Sequence, residues 1–204
     1  MHGHANGNND SNGLRGNDEP PEHLIRPASM SDLDLLVRLE AACFSQAEDR
    51  FSRRRIRGLL LNHRAPVYVY EHDGRAMGNA VGLIRQHTSG VSARIYSVAV
   101  HPEARGLGAG RRLAESLLTR FSEAGARRTY LEVRVENTPA ISLYVSLGFR
   151  QVCMLRDYYG PGQHGLSFCR PLDIGDAALL GPTLFDQLEA KSLSKAVTEH
   201  GGAG

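Results

Sequence analysis

A carboxylate stands in the middle of a segment that has the alternating pattern of a β-strand. In "TYLEVRV" every second position is Leu or Val, while Tyr130, Glu132 and Arg134 share the other face. A carboxylate among buried neighbours needs either a partner or a chemical task. Glu132 is therefore a candidate general base, and a structural ion pair, with Arg134 as one partner, is the alternative.

Tyr144 lies on the apolar stripe of a predicted helix that follows this strand. The sequence "NTP" is typical of a helix start, with Thr138 as the N-cap and Pro139 at the first helical position. A tyrosine on an apolar stripe is usually a core residue. Its hydroxyl can also donate a proton, so Tyr144 is a candidate general acid, with a packing role as the alternative.

A glycine-rich turn precedes both residues. The segment "RGLGAGRR" connects a strand-like run that ends at Val100 to a helix predicted from Ala109 to Gly125. Glycines leave the unpaired N–H groups of the first helical turn accessible to an anion, and the arginines add positive charge. The segment lacks the Gly-Lys-Ser/Thr ending of a P-loop and departs from the dinucleotide-binding pattern. It predicts an anion cradle, with a glycine-rich turn that binds nothing as the alternative.

Together these segments resemble the GNAT superfamily of N-acetyltransferases, and within it the RimI-like protein N-terminal alanine acetyltransferases. The turn after "SVAVHP" is similar to the family's coenzyme A signature, and "LEVRVENTPAISLYVSLGF" followed by "RDYY" is similar to the RimI type. The resemblance implies that strand backbone holds the pantetheine and acetyl carbonyl of acetyl-CoA, and that the glycine turn holds its pyrophosphate. The residues assigned to acetyl-CoA in this way are Val98, Ala99, Val100, Arg105, Gly106, Leu107, Gly108, Ala109, Gly110, Arg111 and Asn137.

The resemblance also implies direct acetyl transfer in a ternary complex, without a metal. Glu132 would take the proton of the acceptor amine, Tyr144 would protonate the leaving thiolate, and a backbone N–H near Val100 would polarise the acetyl carbonyl. A cysteine nucleophile is the competing chemistry. Cys153 and Cys169 lie in apolar, strand-like runs, and we interpret them as core residues.

The acceptor is less well defined by the sequence. RimI-like chains usually carry a Trp-containing segment after the first helix, whereas "CFSQAEDRFSRRRIRGLL" has no Trp, which weakens the prediction of a ribosomal-protein acceptor. Three readings stay open: acetylation of a protein or peptide α-amine, acetylation of lysine or a small amine, and a non-catalytic module that binds coenzyme A or RNA. The first is favoured, and the presence of both Glu132 and Tyr144 argues against the third. Tyr158 and Tyr159 are candidates for the peptide groove or for packing, and the arginines at 53–57 are interpreted as a solvated face.

Helices alternate with hairpins and crossovers in the elements that must position these residues. Ser31 and Ser52 are predicted N-caps of two early helices, and turns at 72–74 and 88–90 are predicted hairpins. This order predicts an α/β sandwich with a mixed sheet. The resemblance implies a GNAT-like splayed β-sheet of about six to seven strands, flanked by helices on both faces. The predicted strands are "LIRPA", "PVYVYE", "AMGNAVGLIRQH", "ARIYSVAV", "RRTYLEVRV", "FRQVCML" and "GLSFCRPL".

Composition sets the boundaries of the domain. The Gly/Asn-rich residues 1–23 predict a disordered tail, residues 24–172 the acetyltransferase domain, and residues 173–204 a second tail with one possible helix at 182–200. A net charge of +2 does not call for a nucleic-acid partner, and no apolar run reaches membrane-spanning length. Three widely spaced cysteines indicate a reducing compartment, so a cytoplasmic location is expected.

Overall fold

The computed structural model describes residues 23–44 and 49–172. The predicted tails, 1–23 and 173–204 with the helix at 182–200, lie outside the described residues, apart from His23 in the first strand. Each helix in the described part of the chain is too short or too polar to cross a lipid bilayer.

Within these residues, seven strands form one mixed sheet, and four α-helices pack on its two faces. The strands are β1 (His23–Pro27), β2 (Val67–His72), β3 (Arg75–His87), β4 (Gly90–Val100), β5 (Ala126–Arg134), β6 (Arg150–Leu155) and β7 (Gly165–Pro171). The helices are α1 (Leu33–Cys43), α2 (Arg53–Leu61), α3 (Ala109–Glu123) and α4 (Thr138–Ser146). The strand order is β1-β2-β3-β4-β5-β7-β6, and β4 and β5 are parallel neighbours. The predicted fold class is confirmed.

Local sequence signals account for both hairpins. Asp73 and Gly74 have φ values of 49° and 71°, which are the left-handed conformations that a two-residue hairpin loop requires. The second hairpin joins β3 to β4, where His87 pairs with Gly90. Both turns lie where the sequence predicts them.

Two hydrophobic cores lie on opposite faces of the sheet. β2 shows the division, because Tyr68 and Tyr70 contact the core under α3 and α4, whereas Val67 and Val69 contact the core under α1 and α2. The α3 core includes fully buried Leu and Phe side chains, each of which contributes about 1.5–3 kcal/mol through burial. These cores fix the sheet that carries Glu132.

The start of α1 differs from the sequence prediction. A 3₁₀ turn over Met30–Asp32 precedes the helix. Ser29 is the N-cap of that turn and Asp32 is the N-cap of α1, so the prediction of Ser31 as the cap is wrong. The backbone N–H of Ser29 donates to Asp32 Oδ2 at 2.8 Å, and Arg26 of β1 donates to the other carboxylate oxygen at 2.8 Å. Because Asp32 binds both groups, the turn begins two residues earlier than predicted.

The other helix ends follow simple capping rules. Ser52 Oγ accepts a hydrogen bond from Arg55 N at 3.2 Å, and Gly125 follows α3 with a φ of 75°, both as predicted. At α4 the prediction is wrong by one residue. Asn137, not Thr138, is the N-cap, and its Oδ1 accepts from the backbone N–H of Ala140 at 3.2 Å.

Strands β4 and β5 diverge after their pairing ends, and we call the gap between them the fork. Their ladder runs from Val91–Ala126 to the pair Arg94–Tyr130, while β4 itself continues to Val100. A bulge at Tyr96 interrupts the pairing of β4 with β3 in the same region. Bulges increase local twist and bend a strand. The fork leaves space between the two strands, and the site lies there.

Candidate active site

Two cavities meet at the fork between β4 and β5. The larger has a volume of about 740 Å³ and lies between the end of β4, the glycine turn and α4. The smaller, of about 200 Å³, lies between β4, β5 and the segment that joins α1 to α2. Both are lined by the same five residues at their junction, which are Phe44, Val98, Asn137, Ala140 and Tyr144.

The larger cavity brings together nearly all of the residues that the sequence assigns to acetyl-CoA. Leu107 is the exception, because it does not line the cavity and its side chain is 45% exposed. The assigned residues that do line it are Val98, Ala99, Val100, Arg105, Gly106, Gly108, Ala109, Gly110, Arg111 and Asn137.

The three glycines of the turn have two different structural roles. Gly106 and Gly108 have φ values of 82° and 78°, and a Cβ at either position would have no protein atom within 4 Å. They therefore combine a left-handed backbone with open space. A Cβ at Gly110 would lie 3.4 Å from Leu143 Cδ2, so this glycine allows α3 to approach α4.

The arginines around the turn are held by neighbouring groups. Arg105 donates to the carbonyl oxygens of Val100 and Cys43, each at 3.4 Å. Arg111 donates to Glu115 at 3.1 Å and to Ser146 Oγ at 2.7 Å. Two cations and the unpaired N–H groups of α3 make this end of the cavity electropositive. An anionic diphosphate group fits such a site.

Glu132 is buried in an ion pair, and its partner is Arg94 of β4. Arg94 Nη2 donates to Glu132 Oε1, and both side chains are only about one tenth exposed. Burial raises the pKa of Glu132, and the charge of Arg94 opposes that increase. Glu132 is thus in an ion pair, with Arg94 and not Arg134 as its partner, and its role as general base stays a prediction.

Tyr144 is buried on α4 at the junction of the two cavities. Its ring packs edge to face against Phe149, with centroids 5.7 Å apart. Burial raises the pKa of the Tyr144 phenol, so the hydroxyl keeps its proton at neutral pH. Glu132 lines the smaller cavity beside it. A carboxylate and a phenol thus line the same small cavity, and the phenol also lies at the junction with the larger one.

The outer wall of the smaller cavity is aromatic and charged. Phe44 and Phe51 come from the segment between α1 and α2, and Tyr159 comes from the loop between β6 and β7. Tyr158 packs edge-on against Tyr159 with centroids 4.9 Å apart, but it does not line the cavity. Of the two candidate groove tyrosines, Tyr159 thus faces the cavity. Arg55 of α2 lies over the Phe51 ring, 5.0 Å from its centroid, so its guanidinium is not a purely solvated group.

Glu40 is a structural residue of this wall that the sequence reasoning missed. Its buried carboxylate accepts from Phe51 N at 2.9 Å and from Asn79 Nδ2 at 3.4 Å. Glu40 therefore fixes the segment that supplies Phe51 to the cavity. Glu40 lies four residues after Leu36 on the apolar stripe of α1, and this position in the sequence indicates a buried carboxylate.

The cysteines do not offer a nucleophile. Cys169 is buried, Cys153 is half-buried, and neither lines either cavity. Cys43 lines the larger cavity, but burial raises the pKa of its thiol to about 11. A thiol with that pKa is protonated and weakly nucleophilic at neutral pH.

Comparison with known proteins agrees with this geometry. Residues 33–149 match the acetyltransferase (GNAT) family. An N-alpha-acetyltransferase of Sulfurisphaera tokodaii is 30% identical over 160 residues, which cover 74% of this chain and 94% of that protein. The ribosomal protein bS18-alanine N-acetyltransferase of Escherichia coli is 40% identical over 67 residues, 33% of this chain and 45% of that protein.

Solved structures share the fold. The crystal structure of the ribosomal-protein-S18-alanine N-acetyltransferase from Escherichia coli has a TM-score of 0.66 and 23% identity, and covers 78% of this chain and 100% of that one. Arabidopsis thaliana NAA60 in complex with acetyl-CoA has a TM-score of 0.65 and 21% identity, over 74% of this chain and 98% of that one. The splayed sheet is thus an arrangement found in a protein solved with acetyl-CoA.

Proposed function

Because the chain belongs to the acetyltransferase (GNAT) family, we propose that it transfers an acetyl group from acetyl-CoA to the N-terminal α-amine of a protein or peptide. The observation that carries this proposal is the position of two residues. Glu132 and Tyr144 both line the smaller cavity, and Tyr144 also lines the larger one. A base on the acceptor side and an acid at the junction suit an acetyl transfer between the two cavities.

The larger cavity is the proposed site of acetyl-CoA. Gly106, Gly108, Arg105 and the first turn of α3 would hold the pyrophosphate, and the free edge of β4 from Val98 to Val100 would hold the pantetheine chain. When bound, acetyl-CoA supplies the thioester whose acetyl group is transferred. The apolar side chains along β4 would exclude water from that bond.

Glu132 is the proposed general base. An α-amine has a pKa near 8, so at neutral pH most of it is an ammonium ion that cannot attack. The Glu132 carboxylate would accept that proton, directly or through a water molecule. Burial raises the pKa of Glu132, which brings the carboxylate closer to the pKa of the ammonium ion and makes the transfer easier.

Tyr144 is the proposed general acid. Its hydroxyl would donate a proton to the sulfur that leaves as the new amide forms. Burial raises the pKa of the phenol, so the proton is present over the whole neutral range. The position at the junction of the cavities supports this role, because the hydroxyl can then serve a group bound in the larger cavity while the amine enters from the smaller one.

A protein α-amine is the favoured acceptor. The name of the Sulfurisphaera relative supports it, and the Escherichia coli relative is named for the alanine of ribosomal protein bS18. The smaller cavity, at about 200 Å³, is compatible with a small first residue such as Ala. An α-amine is also easier to deprotonate than lysine, because its pKa is about two units lower.

The decisive experiment compares acceptor classes. Thiol release from acetyl-CoA is measured with peptides that begin with Ala, Ser or Met, with a lysine peptide whose N-terminus is blocked, and with a polyamine. We expect kcat/KM to be at least about tenfold higher for an α-amine peptide, with mass spectrometry placing the acetyl group on its first residue. Faster turnover of lysine or polyamine would refute the α-amine proposal. Binding of acetyl-CoA without turnover of any acceptor would indicate a non-catalytic protein.

A further inference from the structure

We propose that Arg94 is a positioning residue for this reaction, and that it holds Glu132 in the orientation and the ionised form that a general base needs. The inference rests on the proposed function, in which Glu132 accepts the proton of the amine. Arg94 lines neither cavity, so it acts through Glu132 and not on the substrate.

The pair lies at the point where the fork opens. Arg94 is the last residue of β4 that pairs with β5, opposite Tyr130. Glu132 lies two residues further along β5, on the same face as Tyr130, and it lines the smaller cavity. A cross-strand ion pair at this position fixes the carboxylate at the base of the cavity.

The hydrogen bonding holds the carboxylate from one side. Arg94 Nη2 donates to Glu132 Oε1, and Glu132 lines the smaller cavity. Arg94 Nε is itself buried, without a hydrogen-bond partner in the described part of the chain. A buried ion pair with an unsatisfied donor is a poor way to stabilise a fold, because desolvation offsets the attraction. The arrangement is better explained by what it does to Glu132.

Arg94 is also the cation with the largest effect on the charge of Glu132, because it contacts the carboxylate directly. Arg85 is the other cation that acts on it, and its guanidinium donates to the Tyr96 hydroxyl at 3.3 Å. Without Arg94, burial would keep Glu132 protonated to a higher pH, and a protonated carboxyl cannot accept the proton of an amine. The charged or titratable groups that face Glu132 from neighbouring elements are Arg94, Arg85, Cys153, Tyr158 and Tyr159.

The test is the pH dependence of kcat/KM, measured with the best α-amine peptide and saturating acetyl-CoA. Arg94→Gln keeps a hydrogen-bond donor but removes the charge, and we expect its acidic limb to shift upward by about one pH unit or more. Activity at pH 7 should fall about tenfold and recover near pH 9. Arg94→Lys keeps the charge and should retain an acidic limb close to that of the unmodified enzyme. Arg85→Gln is the matched control and should shift the limb less than Arg94→Gln does.

Because every variant is measured with the same peptide, the ionisation of the acceptor is common to all profiles. An unchanged acidic limb in Arg94→Gln would overturn the inference, whatever the size of the rate loss. The outcome is separable from a failure of the proposed function, because in that case the unmodified protein would not turn over the α-amine peptide, or Glu132→Gln would be as active as the unmodified protein. If Arg94→Gln does not fold, carbon-13 NMR titration of the Glu132 carboxyl in the unmodified protein tests the inference instead. We expect that carboxyl to be ionised at pH 7, and a protonated carboxyl would overturn the inference.

Discussion

The Asp49 carboxylate and the Arg134 guanidinium meet across the smaller cavity, with Oδ1 and Nη2 2.6 Å apart. Asp49 belongs to the segment between α1 and α2, and Arg134 is the last residue of β5. The same guanidinium donates to Gln163 Oε1 at 2.6 Å and lies over the ring of Tyr159, 4.3 Å from its centroid. One arginine thus connects three segments that border the proposed acceptor site.

Asp49→Asn tests whether this connection shapes acceptor binding. The variant removes one charge of a partly buried pair, so we expect a loss of about 1 kcal/mol, or about a fivefold rise in the KM of the peptide. The KM of acetyl-CoA should not change, because neither Asp49 nor Arg134 lines the larger cavity. Asp34→Asn is the control, since it breaks an exposed ion pair with Arg53 away from both cavities. Equal effects of the two variants on the peptide KM would contradict the interpretation.

Gly108→Ala tests the glycine cradle. A Cβ at a φ of 78° should cost about 1 kcal/mol of folding stability and should occupy space beside the proposed pyrophosphate. We expect calorimetry to show at least about tenfold weaker binding of acetyl-CoA. Gly74→Ala is a matched control, because it has a φ of 71°, no protein atom within 4 Å of its Cβ, and a place in a distant hairpin. It should lose similar stability with unchanged binding, and a parallel loss of binding in both variants would speak against the cradle.

Glu40 provides a stability prediction with a defined pH dependence. Burial raises the pKa of Glu40, so the folded protein holds this proton to a higher pH than the unfolded chain does. The associated stability is present at acidic pH and is lost as the pH rises through the folded-state pKa. Glu40→Gln removes the titration, while its amide oxygen can still accept from the backbone N–H of Phe51.

Urea unfolding at pH 4 and pH 7 measures the effect. Glu40→Gln should gain stability relative to the unmodified protein as the pH rises from 4 to 7. Glu40→Ala should lose about 1–3 kcal/mol at both pH values, because Phe51 N–H is then left without an acceptor. A relative stability of Glu40→Gln that does not change with pH would mean that the carboxyl does not titrate differently in the folded state.

The sequence predicted what depends on local pattern and missed what depends on contact across the fold. Alternation placed Glu132 on the polar face of its strand, and the glycine turn was located from residue types alone. The partner of Glu132 was missed because Arg94 is distant in the chain. The bulge at Tyr96 also changes which residues of β4 share a face, so that Ile95 and Val98 both contact the α3 core. A strict two-residue period cannot describe such a strand.

Glu132→Gln tests the base. The amide keeps the shape of the side chain and can still accept a hydrogen bond from Arg94, but it cannot take up a proton. Turnover at pH 7 should fall about a hundredfold or more, and the deficit should shrink toward pH 9, where the free amine forms without help. Steady-state rates with one α-amine peptide at both pH values measure this, and calorimetry should show unchanged binding of acetyl-CoA. A deficit that stays constant with pH would favour a structural role for Glu132.

Tyr144→Phe tests the acid, and its pH dependence should differ from that of the base. The phenylalanine ring keeps the contact with Phe149 and removes only the hydroxyl. We expect turnover to fall about a hundredfold, because the leaving sulfur then lacks a proton donor. Burial raises the pKa of the Tyr144 phenol, so the unmodified enzyme keeps its donor at pH 9 and the deficit of the variant should persist there. Tyr70→Phe is the matched control, since Tyr70 is fully buried, its hydroxyl lies 2.8 Å from His23 Nδ1, and it lines neither cavity. Near-normal turnover in Tyr144→Phe would leave Tyr144 as a packing residue, whereas a loss confined to Tyr144→Phe would identify its hydroxyl as the donor.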